Sequence, residues 1–298
     1  MNAPRPQVEV VCLSHSPQMA QDAEHLQGTL FRAGFARIAK AVGDYDPTLV
    51  VFFGPDHMRA LAGIAPCFTV VETATGYGDW GTPSEAYQVP RDLAIALGVH
   101  LAEAGIDIAL APDLRLDHGF GQSTADLFGS LAAVPLIPIV INCVDRPLAT
   151  AARTAELGKA VGTFLRNALP TGERVLVLGS GGISHAPPSL VPGARELTEP
   201  QRRQLIADNI GRAAEAINPE WDRTFLHRLA GDDWAGLAEL TPADLAPAGT
   251  GGAEVRTWIA AAFAGDTALS TVVYEPVKEW ITGMGIAATA DLAMSTAT

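Results

Sequence analysis

The stretch that decides the fold is residues 175–188, which read VLVLGSGGISHAPP. Its four aliphatic residues predict a buried strand, and the glycines that follow predict a loop that presents His185. Gly181 and Gly182 carry no Cβ atom, and the two prolines restrict the backbone just past the histidine. A rigid loop after a core strand is a common place for a functional side chain in α/β proteins, although a tight turn with an incidental histidine is the alternative.

The same pattern of an apolar strand, a Gly- or Pro-containing loop and a histidine recurs along the chain. His15 follows a predicted strand at residues 7–13, and His57 follows another at residues 49–53. His118 is predicted to lie in a loop. Because parallel strands bring their carboxyl ends to one edge of a sheet, we expect these three histidines to converge with His185. The sequence therefore predicts a metal or acid–base centre.

Alternating strands and helices over residues 7–190 predict an α/β fold with a mixed or mostly parallel central sheet flanked by helices. Residues 195–290 are predicted to form a helix-rich C-terminal third, and residues 60–90 an irregular surface excursion. Residues 279–284 read as a turn or helix. We expect the whole chain, residues 1–298, to be a single catalytic domain.

Composition excludes several classes of protein. The net charge of −13 argues against nucleic-acid binding and gives no general attraction for anionic substrates, so a substrate carboxylate would need a local Arg or Lys. No apolar run is long enough for a membrane helix, and the N-terminus does not resemble a secretory signal. Cys12, Cys67 and Cys143 lie far apart, as expected of thiols in a reducing compartment. These features predict a cytoplasmic protein that binds neither membranes nor nucleic acids.

Familiar catalytic motifs do not fit. Residues 179–181 place serine in the wrong position for a G-x-S-x-G nucleophile elbow, and the sequence has neither a P-loop nor an H-E-x-x-H zinc helix. Two histidines with one carboxylate are typical of non-haem Fe(II) oxygenases. Zinc hydrolases use related ligands, so the spacing alone leaves the metal open.

Several segments resemble the marker segments of the class III, or LigB-type, extradiol ring-cleavage dioxygenases. The resemblance spans nearly the whole chain in the same order. The segments that carry it are CLSHSP (12–17), GPDH (54–57), LDHGF (116–120), GSGGISHAPP (179–188), NPEWD (218–222), EVRTW (254–258) and EWI (279–281).

The resemblance implies Fe(II)-dependent cleavage of a catechol by O2 in a homo-oligomer. The substrate it implies is a 2,3-dihydroxyphenylpropionate-like or other 3-substituted catechol. It makes His15, His57 and Glu254 the iron ligands, although Glu254 also reads as an ordinary acid at a helix N-terminus. The resemblance makes His118 and His185 the catalytic acid–base pair. Of the two, His185 is our candidate for the base and His118 for the acid, and the sequence leaves open which of them acts at which step. The resemblance adds Asp117 to the catalytic residues as the supporting neighbour of His118, and makes Pro187 the supporting neighbour of His185. Gly181 and Gly182 are expected to let the backbone approach the bound substrate.

One departure from the family concerns the substrate. Residues 58–63, MRALAG, stand where the resembled enzymes have an aromatic-rich stretch, which leaves the ring substituent open. Arg59 is a candidate partner for a substrate carboxylate, with an ordinary surface arginine as the alternative. Two other functions stay open: a metal-dependent hydrolase on the same scaffold, and a non-catalytic metal-binding member of the fold.

Overall fold

A sheet of eight strands, in the order β5-β3-β7-β2-β8-β1-β10-β9, organises the computed structural model. The structure describes residues 5–22, 24–61, 63–144, 146–190 and 196–295. The sheet strands are β1 (Gln7–Leu13), β2 (Leu49–Pro55), β3 (Phe68–Val71), β5 (Ala109–Ala111), β7 (Leu136–Ile141), β8 (Arg174–Ser180), β9 (Ser270–Val277) and β10 (Thr282–Ala288); β4 (Ala74–Gly76) and β6 (Leu114–Leu116) form a separate parallel pair.

The four central strands β7, β2, β8 and β1 are parallel. β3 joins β7 antiparallel at one side, and β10 joins β1 antiparallel at the other. Leu13 of β1 pairs with Ser180 of β8, and Phe53 of β2 pairs with Gly179. This register brings the carboxyl ends of three neighbouring strands together, and the histidine loops leave from those ends.

Helices cover both faces of the sheet. They are α1 (Pro17–Gln21), α2 (Thr29–Tyr45), α3 (Arg91–Glu103), α4 (His118–Phe128), α5 (Ala151–Ala168), α6 (Glu199–Glu215), α7 (Pro219–Ala230), α8 (Pro242–Leu245), α9 (Val255–Gly265) and α10 (Ala290–Ser295). No helix within the described ranges has the length and apolar composition needed to cross a membrane.

Strand periodicity explains the two-sided core. Val175 and Val177 of β8 face a hydrophobic cluster that includes α3, α5 and α9. Leu176 and Leu178 point to the opposite face, where Phe31 of α2 belongs to the second cluster. Successive strand residues alternate between faces, and a sheet buried on both sides therefore needs apolar residues at every position. This accounts for the unbroken VLVL run.

The predicted α/β class with a mostly parallel sheet is confirmed, and so is the helix-rich C-terminal third. Two local predictions fail in whole or in part. Residues 60–90 contain β3 and β4, so they are not simply irregular. Residues 279–284 begin in a short 3-10 helix, Lys278–Trp280, as predicted, but they end in the first residues of β10. β10, TGMGIAA, carries two glycines and little β-branched content, so its local sequence does not indicate a strand. Its pairing with β1 and β9 specifies it instead.

Candidate active site

Four histidines surround one small cavity at the carboxyl edge of the central strands. His15 follows β1, His57 follows β2 and His185 follows β8, as the pattern predicts. His118 arrives differently, because it is the first residue of α4 and follows β6 of the separate pair. The prediction that His118 lies in a loop is therefore wrong, although its convergence with the others is correct.

The histidine rings lie close together. The imidazole of His57 stacks on that of His118 with 4.2 Å between ring centroids, and the ring of His15 lies edge-on to both, at 5.3 and 5.5 Å. One ring nitrogen from each of these three residues falls within 4.8 Å of the other two. Such spacing allows the three nitrogens to approach a common ion.

Glu254 completes the cluster from a short helix, Gly251–Glu254, that leads into α9. Its side chain is fully buried. One carboxylate oxygen, Oε2, accepts the backbone N–H of Gly182 at 2.9 Å. The other, Oε1, lies 3.2 Å from Nε2 of His57 and 3.4 Å from Nε2 of His185. A buried carboxylate needs a compensating charge, so this position is better explained by a cation partner than by an ordinary helix terminus.

Three of the four rings, those of His15, His57 and His118, are held at the Nδ1 atom. Nδ1 of His15 lies 2.8 Å from Oγ of Ser180, and Nδ1 of His57 lies 3.2 Å from both carboxylate oxygens of Asp117. Nδ1 of His118 lies 2.6 Å from Oδ2 of Asp79. When Nδ1 is engaged in this way, Nε2 is the atom left for a metal or a substrate.

Asp117 links the start of α4 to His57, which follows β2. It is the N-cap of α4, where its side chain accepts the backbone N–H of Gly119 at 2.9 Å. It also accepts the backbone N–H of His57 at 2.7 Å. The resemblance makes Asp117 the supporting neighbour of His118, but the histidine ring that its side chain contacts is that of His57.

Sequence reasoning missed Asp79. Its Oδ1 accepts the backbone N–H of His118 at 2.9 Å, in addition to the contact with the ring. Asp79 lies within residues 60–90, which were expected to be irregular, and no motif there marks a functional residue. The sequence marks it only as a carboxylate in a Gly-rich loop, and such residues are too common to indicate a functional site.

Arg59 is not a surface arginine, because its side chain is only 5% exposed. Its guanidinium lies 2.9 Å from a carboxylate oxygen of Glu199 and 3.1 Å from Oδ2 of Asp79. The positive charge of Arg59 is therefore already paired with two protein carboxylates and is not left for a carboxylate of the substrate. Arg59 instead connects the N-terminus of α6 to the residue that holds His118.

Burial and charge shift the pKa values of the cluster in opposite directions. Burial lowers the pKa of His15 to about 3, so this ring is neutral and able to bind a metal. Burial also lowers the pKa of His57, but the carboxylates of Asp117 and Glu254 outweigh it and raise that pKa to about 10. Burial raises the pKa of Glu254, yet the nearby His185 and His57 hold it well below its usual range. The ionised carboxylates create a local preference for positive charge.

Gly181 and Gly182 pack against the cluster. A Cβ atom on Gly181 would lie 2.7 Å from Cβ of Glu254, and one on Gly182 would lie 2.8 Å from the ring of His185. Neither glycine lines the cavity, whereas Pro187 does. The contacts of the two glycines are thus with the site residues themselves.

Gly251 also packs against His185 and offers a test of its position. A Cβ atom on Gly251 would lie 2.3 Å from Nε2 of His185. We expect Gly251→Ala to displace the ring and lower any activity that depends on His185 by at least about 10-fold, since catalytic groups tolerate little misplacement. Gly43→Ala is the matched control, because its Cβ atom would meet nothing within 4 Å. Equal activity of the two variants would show that the position of His185 is unimportant.

The donor set fits a divalent metal ion. His15, His57 and Glu254 supply two imidazoles and one carboxylate, and the first two rings are already oriented through Nδ1. His118 is a second candidate for the third position, because its ring nitrogen belongs to the tight three-histidine group. Either set leaves further coordination positions for a substrate, as a catalytic metal site requires.

The fold and the site together define a class: an α/β protein with a buried histidine–carboxylate centre at the carboxyl edge of its sheet. A family model, the catalytic LigB subunit of aromatic ring-opening dioxygenase, matches residues 9–285. The chain belongs to this family. The family predicted from the marker segments is therefore confirmed.

Three relatives illustrate the similarity, and each is named 2,3-dihydroxyphenylpropionate/2,3-dihydroxicinnamic acid 1,2-dioxygenase. The protein from Photorhabdus laumondii is 36% identical, over 94% of this chain and 96% of its own. The protein from Azotobacter vinelandii is 35% identical, over 94% and 97%. The protein from a Rhodococcus species is 36% identical, over 94% and 97%. These alignments cover nearly the full length of both partners.

Proposed function

We propose that the protein is an extradiol dioxygenase that opens a catechol ring with O2 and incorporates both oxygen atoms. The observation that carries this proposal is the buried cluster of four histidines and Glu254, in a chain of the LigB family. The substrate we infer is 2,3-dihydroxyphenylpropionate or a related 3-substituted catechol, the class named for the relatives.

We assign His15, His57 and Glu254 as ligands of Fe(II). Support comes from the buried carboxylate beside Nε2 of His57 and from the burial that keeps His15 neutral. When bound, Fe(II) would supply Lewis acidity toward the catechol and the redox chemistry for O2. The buried carboxylate would offset part of the metal's charge.

His118 and His185 remain for proton transfer. Both line the cavity, and neither lies at the surface. A phenolic hydroxyl has a pKa of about 10, so catechol binding at neutral pH requires a base. We assign His185 as the group that accepts this proton and His118 as the acid that donates a proton during ring opening. Histidine suits both tasks because its ordinary pKa of about 6.5 lies near neutrality. Pro187, at the wall of the cavity, restricts the loop that carries His185.

The test is to load the protein anaerobically with Fe(II), add a panel of catechols and then admit air. We expect a yellow ring-opened product, with 3-substituted catechols among the best substrates, and one O2 consumed for each ring opened. Zn(II)-loaded protein is the control and should be inactive. Hydrolysis of esters by the Zn(II)-loaded protein, without ring opening by the Fe(II)-loaded protein, would indicate a metal-dependent hydrolase. A protein with neither activity would be a metal-binding protein.

We also infer a cytoplasmic homo-oligomer. The cytoplasmic inference is supported by Cys12, Cys67 and Cys143, which are free thiols, as is usual in a reducing compartment. The oligomeric inference is supported by the family resemblance. Light scattering after gel filtration measures the mass of the assembly. A mass equal to that of one chain would contradict the inference of a homo-oligomer.

A further inference from the structure

A cleft beside the site cavity contains an arginine whose charge no described carboxylate neutralises. Arg203 lies on α6, and its guanidinium carbon stands 5.0 Å from the ring centre of Trp80. Among the residues that the structure describes, no Asp or Glu side chain forms a salt bridge with Arg203. This guanidinium is thus available to an anion from solution.

The cleft that contains Arg203 adjoins the cavity of the four histidines. Gln18, Trp80 and Ile206 line both spaces. Arg203 and Ile206 are three residues apart on α6 and therefore share one helix face. A substituent that leaves the cavity past the Trp80 ring would meet Arg203.

The other arginines near the cavity are already engaged. Arg59 is held by Asp79 and Glu199. Arg202 lies 3.8 Å from Glu199 and donates to the carbonyl of Leu197. Since the chain carries a net charge of −13, an anionic group gains no general attraction to it and needs a local cation.

We propose that Arg203 binds the carboxylate on the side chain of the substrate. This assignment rests on the proposed function, and it deepens that function by naming catechols with an anionic C3 substituent as the preferred substrates. A guanidinium pairs with a carboxylate through two parallel N–H donors, and the contact with the Trp80 ring holds this one beside the cavity. Arg203 is accordingly a specificity-determining residue and takes no part in ring opening.

The experiment compares two catechols of similar size, 2,3-dihydroxyphenylpropionate and 3-propylcatechol, which lacks the carboxylate. We expect Arg203→Gln to raise KM for the acid about five- to tenfold and to leave kcat within about twofold, since the pair is partly exposed. KM for 3-propylcatechol should stay unchanged. Arg203→Lys keeps the charge but not the planar fork and should give a smaller rise, about twofold.

Arg223→Gln is the matched control. Arg223 also stacks on a ring, that of Tyr274 at 5.4 Å, and it does not line the site cavity. An equal rise in KM for both catechols would show that Arg203 acts by shaping the cavity wall at Trp80. An equal rise in KM for the acid in Arg223→Gln would show that the substrate responds to the protein's overall charge and not to Arg203. Either result overturns the assignment. Failure of the unmodified, Fe(II)-loaded protein to open any catechol would count against the proposed function and would be seen before Arg203 is varied.

Discussion

Glu254→Gln is expected to lose tightly bound iron and at least about 10³-fold of the ring-cleavage rate. The glutamine amide has nearly the same shape as the carboxylate but carries no charge. It therefore cannot offset the positive charge of a buried cation. Removal of metal assistance worth about 4 kcal/mol corresponds to about 10³ in rate. Iron content by elemental analysis and turnover of 2,3-dihydroxyphenylpropionate measure the two effects. Circular dichroism checks that the variant is folded.

This substitution also separates the two candidate ligand sets. If His15, His57 and Glu254 bind iron, Glu254→Gln loses the metal and His118→Gln keeps it. If the three-histidine group of His15, His57 and His118 binds iron, the result is reversed. Glu220→Gln on α7 is the control, because this exposed carboxylate lies outside the cavity. Normal iron content in Glu254→Gln would remove Glu254 from the ligand set.

The positions of the site histidines follow from local patterns, and for that reason the sequence predicts them. A buried parallel strand needs an apolar run, and its end needs a turn, so His15, His57 and His185 are recognisable at strand ends. Their convergence requires only that the strands be parallel neighbours. The family resemblance then selects Glu254, which has no distinctive local pattern.

The residues that hold the site together depend on contacts between distant parts of the chain. Asp79 contacts His118 across 39 positions, and its own segment shows no periodicity. β10 pairs with β1, where Ile286 lies opposite Leu13, although the two strands are nearly a chain length apart. Arg59 reads as a surface residue because arginine usually is one, and only the fold brings Glu199 and Asp79 to it. Local propensity carries no information about such partners.

A series of ion pairs therefore connects α6 to the histidine cluster. Glu199 in the first turn of α6 pairs with Arg59, Arg59 pairs with Asp79, and Asp79 holds His118. Burial in a low dielectric strengthens these contacts and makes the loss of any member costly. The position of His118 is consequently tied to the docking of α6 over the cavity.

His118→Gln and His185→Gln are each expected to retain iron and to lower kcat about 10²- to 10⁴-fold, the range for loss of a general acid or base. Glutamine preserves hydrogen bonding but cannot transfer a proton at neutral pH. Iron content, kcat and KM are measured for both variants under the same anaerobic loading. Loss of iron from either variant would transfer that histidine from proton transfer to the ligand set.

Asp79→Asn extends this prediction to the residue that positions His118. The amide can keep one contact to the His118 backbone but cannot hold the ring as a carboxylate does, so we expect kcat to fall about 10-fold with little change in KM. In a His118→Gln background the same change should have almost no further effect, because the two residues act as one unit. His185→Gln provides the comparison background, in which the effect of Asp79→Asn should persist. If Asp79→Asn lowers kcat equally in all three backgrounds, Asp79 stabilises the fold and does not act through His118.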